Sequence, residues 1–217
     1  MTVIAPDVSV ARVFGSALGG QACRVVDAEG RGWRLPIESW LQEADPVDEA
    51  LLDLCHGATL DVGCGPGRMA EALARRGRVV LGIDIVPEAV RLSVGRGVVA
   101  LQRDVFHPMP GEGRWETALL ADGNIGIGGD PVALLERLGE VIAPTGRIVV
   151  EVSPPGTGVV TRHVRIETAS YRSDVFPWTL VGADAIEAVA RAVGMGVVSR
   201  RGLGARWCAV LGRTLAP

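Results

Sequence analysis

An α/β fold with a doubly wound, mostly parallel sheet is predicted by three observations. From residue 58 to about 152, short apolar runs alternate with helical patterns, the spacing of parallel strands joined by crossover helices. The first run breaks into Leu60-Asp61-Val62-Gly63-Cys64-Gly65-Pro66-Gly67-Arg68 just before a helical pattern. Such a turn lets a ligand approach the backbone and meet the free N–H groups of the helix behind it. Finally, two strand-like runs at 196–201 and 205–211 are separated only by Gly202-Leu203-Gly204. That connection is too short for a crossover, so the sheet ends with a reversed strand at or near its edge.

In chain order, residues 10–18 read as a short helix, and 23–26 and 33–36 as two strands around a turn-rich stretch. Two helices follow at 37–41 and 46–54, the second with Pro46 in its first turn and Asp45 as N-cap. The core then alternates: strand 59–62, helix 69–76, strand 79–83, helix 87–94, strand 97–101, strand 115–121, helix 131–142 and strand 147–152. Residues 154–181 interrupt this rhythm with a strand-like 159–168 and an irregular 170–178, and a helix at 183–193 restores it. The expected organisation is an N-terminal hairpin-and-helix extension over 1–57, capping the substrate side, and a cofactor-binding core over 58–217 with an insertion at 154–181.

Composition narrows the function classes. A hydrophobic content of 48% with a net charge of −3 describes a globular protein without the basic field of a nucleic-acid binder. All 22 basic residues are arginine, which with 29 glycines reads as codon bias rather than phosphate binding. Cys23, Cys55, Cys64 and Cys208 form no C-x-x-C pair, so neither a metal site nor a disulfide framework is expected, and a reducing cytoplasm is. No run approaches a membrane span and the start lacks a signal-peptide pattern. A soluble monomer or homodimer is expected, with no nucleic-acid or membrane partner.

Asp84 ends the second core strand, where a carboxylate can accept hydrogen bonds from both hydroxyls of a cofactor ribose. NAD and adenosine suit that geometry equally. The dinucleotide fingerprint, however, needs glycine at position 68, where this chain has Arg68.

Leu60 to Arg68, followed by Gly82-Ile83-Asp84, resembles the first two motifs of class I S-adenosylmethionine-dependent methyltransferases. Gln102-Arg103-Asp104-Val105 resembles their third motif, Leu120-Ala121-Asp122-Gly123-Asn124 their fourth, and Ala143-Pro144-Thr145-Gly146-Arg147 the turn before their fifth strand. The likeness covers roughly 58–153 and 182–213. It implies a seven-stranded Rossmann-like sheet, S-adenosylmethionine as cofactor and S-adenosylhomocysteine as product. It also implies a cofactor site at Asp61, Gly63, Cys64, Gly65, Gly67 and Arg68, with Asp122 and Asn124 beside the methionine part. Asp84 would hold the ribose, Ile85 and Val105 the adenine faces, and Asp104 the adenine amino group.

Methyl transfer from a sulfonium needs in-line positioning more than acid–base groups. Candidate bases are His163, Tyr171, Asp174 and Asp122, whereas His56 and His107 read as structural and Cys64 as a small filler in the turn. Trp33, Trp40, Tyr171 and Trp178, concentrated outside the common core, are candidate substrate contacts or equally a small second core. Asp122-Gly123-Asn124-Ile125 lacks the Pro-Pro and aromatic residue of the amide-methylating pattern, which argues against a nucleic-acid base as acceptor. A small molecule methylated on O, N or C is the expected acceptor. A nicotinamide-dependent oxidoreductase and a non-catalytic S-adenosylmethionine-binding module are the alternatives.

Overall fold

A computed structural model describes residues 7–214. The extension comprises β1 (Asp7–Val8), α1 (Val10–Leu18), β2 (Cys23–Asp27), β3 (Gly32–Arg34), α2 (Ile37–Trp40) and α3 (Pro46–Leu52). Asp45 caps α3 as expected: its carboxylate accepts from the N–H groups of Val47 and Asp48, and Asp48 reaches back to the Asp45 N–H. Next come β4 (Thr59–Val62), α4 (Arg68–Arg75), β5 (Val80–Asp84), α5 (Pro87–Gly95), β6 (Ala100–Gln102) and β7 (Trp115–Leu120). A 3-10 turn at Asn124–Gly129 leads to α6 (Pro131–Val141) and β8 (Ile142–Val152). The remainder is β9 (Val159–Thr168), β10 (Arg172–Ser173), β11 (Phe176–Val181), α7 (Ile186–Ala192), β12 (Met195–Leu203) and β13 (Arg206–Arg213).

The main sheet has seven strands in the order β12-β13-β8-β7-β4-β5-β6, parallel from β8 to β6. Antiparallel β13 lies between β8 and the edge strand β12, so the reversed strand stands one place in from the edge. Alternation along the strands supplies both faces. Leu60, Ala118, Leu120 and Ile148 pack with Leu134, Leu138 and Ile186, while Leu119, Val149 and Val210 pack with Leu51, Leu52, Met69 and Leu73. The helices thus divide between the two sides, as in a doubly wound sheet.

Several boundaries differ from expectation: the expected irregular 170–178 holds β10 and the start of β11, which pair with β9, α7 starts at Ile186 rather than 183, and two further differences have identifiable reasons. The third core strand starts at Ala100, because Gly97, at φ +81°, closes the turn after α5 by donating to Val94 O. The turn expected at 144–146 is a bulge inside β8: residues 143–146 lie between the pairs Trp115↔Ile142 and Thr117↔Arg147, where β7 has only Glu116. Gly146 is required there, since a Cβ would sit 2.9 Å from Trp115 O.

The extension and the insertion, separate in sequence, meet in one second sheet. Hairpin β2–β3 pairs with β9 through registers such as Val25↔Ile166, and β9 also pairs with β10 and β11. Helix α1 lies between this sheet and α5, with Val13 against Val25, Val164 and Ile166, and Ala17 and Leu18 against Val86 and Ala89. Strand β11 seats on the 3-10 turn: a Cβ on Gly126 would come 2.6 Å from Thr179 O, and the Thr179 hydroxyl donates to Gly129 O at 2.6 Å. The second sheet is therefore fastened on both sides of the glycine loop that follows β4.

Candidate active site

The loop after β4 divides its glycines between two tasks. Gly63 and Gly67 have φ of +70° and +89°, and a Cβ on them would lie 2.7 Å from Asn124 Nδ2 and 2.5 Å from Ser93 Oγ. Both neighbours hold the loop: Asn124 donates to Val62 O and Gly63 O, and Ser93 donates to Gly65 O. Gly65, at φ +54°, has nothing within 4 Å of a Cβ. Its backbone therefore faces open space. Beside it, buried Asp84 accepts from Gly65 N at 2.9 Å and Val86 N at 2.8 Å. Burial raises the Asp84 pKa against the pull of these N–H groups.

Arg68, which follows the loop, belongs to a network of charges drawn from α3, α4, β8, β13 and the turn after β7. Arg68 is 7% exposed and donates to both oxygens of Asp48 and both of Asp122, at 2.7–3.0 Å. Arg206 donates to both oxygens of Glu151, at 2.8 and 2.6 Å, and to Asp48 Oδ1 at 2.5 Å. Glu151 also accepts the Asp122 N–H at 2.7 Å. That bond helps to hold Asp122 at φ +54°, a left-handed conformation that no other non-glycine residue adopts among those described. Burial would raise Asp48, yet the Arg206 hydrogen bond and the Arg68 charge keep it below the usual carboxylate range. At Asp122 burial prevails over Arg68 and pushes the pKa up to about 6.

Asp61, 2% exposed, leaves Oδ2 without a hydrogen-bond partner among the described residues. Burial, joined by the charges of Asp122 and Asp84, pushes its pKa up to about 7, opposed by Arg68 and the Ala70 backbone. An orphaned buried carboxylate in β4, two residues before Gly63 of the loop, suits a cationic ligand group. Exposed Ile85 and Phe106, following neighbouring strands β5 and β6, suit a flat apolar one. These are the features that the amino-acid and adenine ends of S-adenosylmethionine require, so the residues present fit that cofactor.

Several expected residues stand elsewhere. Val105 is buried in the main core, and Phe106, one position later, is the exposed side chain instead. Asp104 accepts the Phe106 N–H in a local turn. Arg68 turns its guanidinium inward to Asp48 and Asp122 rather than toward the loop's open side. Cys64 contacts Ser93 Oγ at 3.7 Å, and burial raises its thiol pKa, which makes it a filler. His163 lies on the face of β9 opposite Val164 and Ile166, which pack on α1. Tyr171 packs in the second sheet under the Arg12 guanidinium, and Asp174 is exposed. Trp40 stacks on Phe14 at 5.8 Å, Trp178 meets Phe176 edge-on, and Trp33 carries the Arg162 guanidinium. The structure thus gathers Asp61, Gly63, Gly65, Gly67, Asp84, Asp122 and Asn124 at one end of the sheet, while Tyr171 and Trp178 pack in the second sheet, Trp40 packs with α1 and α5, and Trp33 is exposed.

Sequence reasoning missed Asp48, Glu151 and Arg206. Glu151 carried a signal, a lone charge inside the apolar run Ile148-Val149-Val150-Glu151-Val152. Asp48 and Arg206, one in the extension and one in the final hairpin, carried none.

A parallel sheet with a reversed penultimate strand and a glycine loop backed by Asp84 define a Rossmann-like fold whose loop suits a nucleotide cofactor. Residues 59–146 match the methyltransferase domain family. A ubiquinone biosynthesis O-methyltransferase of Xanthomonas euvesicatoria pv. vesicatoria (strain 85-10) is 30% identical over 106 residues, 45% of this chain and 43% of that protein. The chain spans less than half the length of the curated relatives it matches. Among solved structures, an S-adenosylmethionine-dependent methyltransferase from Bacteroides fragilis, in complex with S-adenosylhomocysteine, superposes with a TM-score of 0.81 at 22% identity, over 99% of this chain and 98% of that one. The 1,6-didemethyltoxoflavin-N1-methyltransferase of Burkholderia thailandensis follows with 0.62 at 20% identity, over 98% and 94%. The chain has the fold of these S-adenosylmethionine-dependent methyltransferases, and its residues 59–146 are similar to the methyltransferase domain family.

Proposed function

We propose that this chain is an S-adenosylmethionine-dependent methyltransferase that acts on a small molecule. The observation that carries this reading is the glycine loop itself, with Gly65 N held by the Asp84 carboxylate and open space over Gly65, at the end of the strand that carries the orphaned Asp61 carboxylate. The fold comparisons support it, and the relatives' printed names, an O-methyltransferase and an N-methyltransferase of small molecules, support the acceptor class. When bound, the cofactor supplies an activated methyl group that passes to an acceptor lone pair as the carbon–sulfur bond breaks, leaving S-adenosylhomocysteine. Asp84 would accept the ribose hydroxyls, Ile85 and Phe106 would cover the adenine, and Asp61 would neutralise the cationic amino-acid end. Gly63, Gly67 and Asn124 keep the loop rigid, so orientation is fixed before the acceptor arrives. Asp122 is the candidate to take the proton that the acceptor loses, because its side chain keeps 25% exposure next to the cavity-lining Gly123 and burial raises its pKa toward neutral pH. His163 and Tyr171 are committed to the second sheet.

The described part of the extension, residues 7–57, and the insertion 154–181 share the second sheet and are the candidate cap over the acceptor. We assign the protein to the cytoplasm as a monomer or homodimer, away from nucleic acid and membranes, in keeping with free thiols and a net charge of −3. No helix among the described residues is long and apolar enough to cross a membrane.

Calorimetric titration tests the reading. S-adenosylhomocysteine is expected to bind and NAD(H) not to; the reverse result rejects it in favour of a nicotinamide enzyme. Binding without turnover across a metabolite panel would instead indicate a non-catalytic module.

A further inference from the structure

A cavity of about 230 Å³ opens over the carboxyl ends of β7 and β8, beside Gly123 and therefore one residue from Asp122. Ile125, Pro154 and Leu180 give it apolar walls, Glu151 and Arg206 a charged floor, and the hairpin turn residue Ala205 a rim. It is the space between the main sheet and strand β11 of the second sheet.

The floor is not neutral. Asp48, Asp122 and Glu151 bring three carboxylates into one hydrogen-bonded network with only two guanidiniums, Arg68 and Arg206. Arg206 is the one cation at the cavity surface, and its Nε, Nη1 and Nη2 already donate to Glu151 and Asp48. An entering anion would therefore face a surplus negative charge and compete with three carboxylates for the arginine. Of the Glu151 oxygens, Oε2 accepts from both Arg206 and Asp122 N, but Oε1 accepts only from Arg206. A carboxylate oxygen has two acceptor sites, so Oε1 has one left for a ligand donor.

We propose that this cavity is the acceptor pocket, and that it selects ring-sized molecules that are uncharged or cationic and present a hydrogen-bond donor to Glu151, excluding anions. The inference rests on the methyltransferase reading for the word acceptor, whereas the charge preference stands on the cavity itself. A planar ring fits between the apolar walls with its donor toward the floor, and desolvation by those walls strengthens the charge discrimination.

The test uses the full chain saturated with S-adenosylhomocysteine and three ring probes that differ in charge: benzamidine, phenol and benzoate. Binding is read from methyl resonances of Ile125, Val152 and Leu180. Benzamidine and phenol are expected to shift these resonances, with benzoate at least about tenfold weaker than benzamidine. Ala205→Trp, a bulky change at an exposed turn, should abolish the shifts while leaving S-adenosylhomocysteine affinity intact, and Leu180→Trp should do the same from the opposite wall. Glu151→Gln should narrow the benzamidine-to-benzoate ratio. Benzoate binding as well as benzamidine, or probe binding that survives both tryptophan variants, overturns the proposal. If S-adenosylhomocysteine itself fails to bind, the methyltransferase reading falls, and the same probes on the cofactor-free protein still decide the charge preference.

Discussion

Asp61→Asn separates what the cofactor site needs from what the fold needs. Asp61 is 2% exposed, and burial pushes its pKa from 3.8 up to about 7. A carboxylate whose folded pKa lies above its unfolded value keeps its proton in the native state while the denatured chain has lost it. Native stability is therefore greatest below the unfolded pKa and falls as pH rises toward the folded one. A rise of about three units corresponds to roughly 4 kcal/mol above pH ~7, an upper figure because the asparagine N–H groups must also find partners. Asparagine keeps the shape and removes the charge. The variant is expected to be more stable than the parent by about 2–4 kcal/mol at pH ~8, with the gap closing as pH falls toward ~4. Guanidinium unfolding across that range measures it. The same variant should bind S-adenosylhomocysteine more weakly, since the ligand's ammonium group loses its counter-charge. A variant no more stable than the parent at high pH, with a gap that does not change with pH, refutes the argument that Asp61 is a costly buried charge.

Removing one member of the ionic network should cost far more than an exposed ion pair. Arg206→Met takes from Glu151 its cationic partner and leaves Arg68 alone to balance Asp48 and Asp122, and is expected to lower unfolding free energy by about 3–5 kcal/mol, visible as a lower denaturant midpoint. Gly63→Ala places a Cβ 2.7 Å from Asn124 Nδ2 at a φ of +70°; it should displace Asn124 and weaken S-adenosylhomocysteine binding at least about tenfold in calorimetry. Asp84→Ala should weaken the same binding by about 1.5–3 kcal/mol, and unchanged affinity would reject its ribose role.

Much of the core was legible because its signals are local. Strand and helix periods, the Asp45 cap and the spacing from the glycine loop to Asp84 all lie within a few tens of residues of one another. The exceptions follow the same logic. A one-residue shift of exposure from Val105 to Phe106 depends on how the chain turns after β6, and the residue pattern does not encode that turn. Trp33, Trp40, Tyr171 and Trp178 were readable as clustered aromatics, but whether they face a ligand or one another depends on strand pairing. His163 is a polar residue in an insertion until β9 pairs with β2 and β11 and alternation turns it to the face away from α1.

By itself, the sequence determined the parallel sheet, its reversed strand and the loop between Gly63 and Gly67, since glycine conformations and apolar periodicity are properties of short stretches. Only the tertiary structure decided that residues from the extension, β8 and the final hairpin would close a network around Arg68, and that Asp61 would be buried without a partner. Asp48 and Arg206 are 158 positions apart. Their meeting is set by the packing of α3 and β13 around the sheet, and a carboxylate's charge cost depends on which neighbours replace water around it.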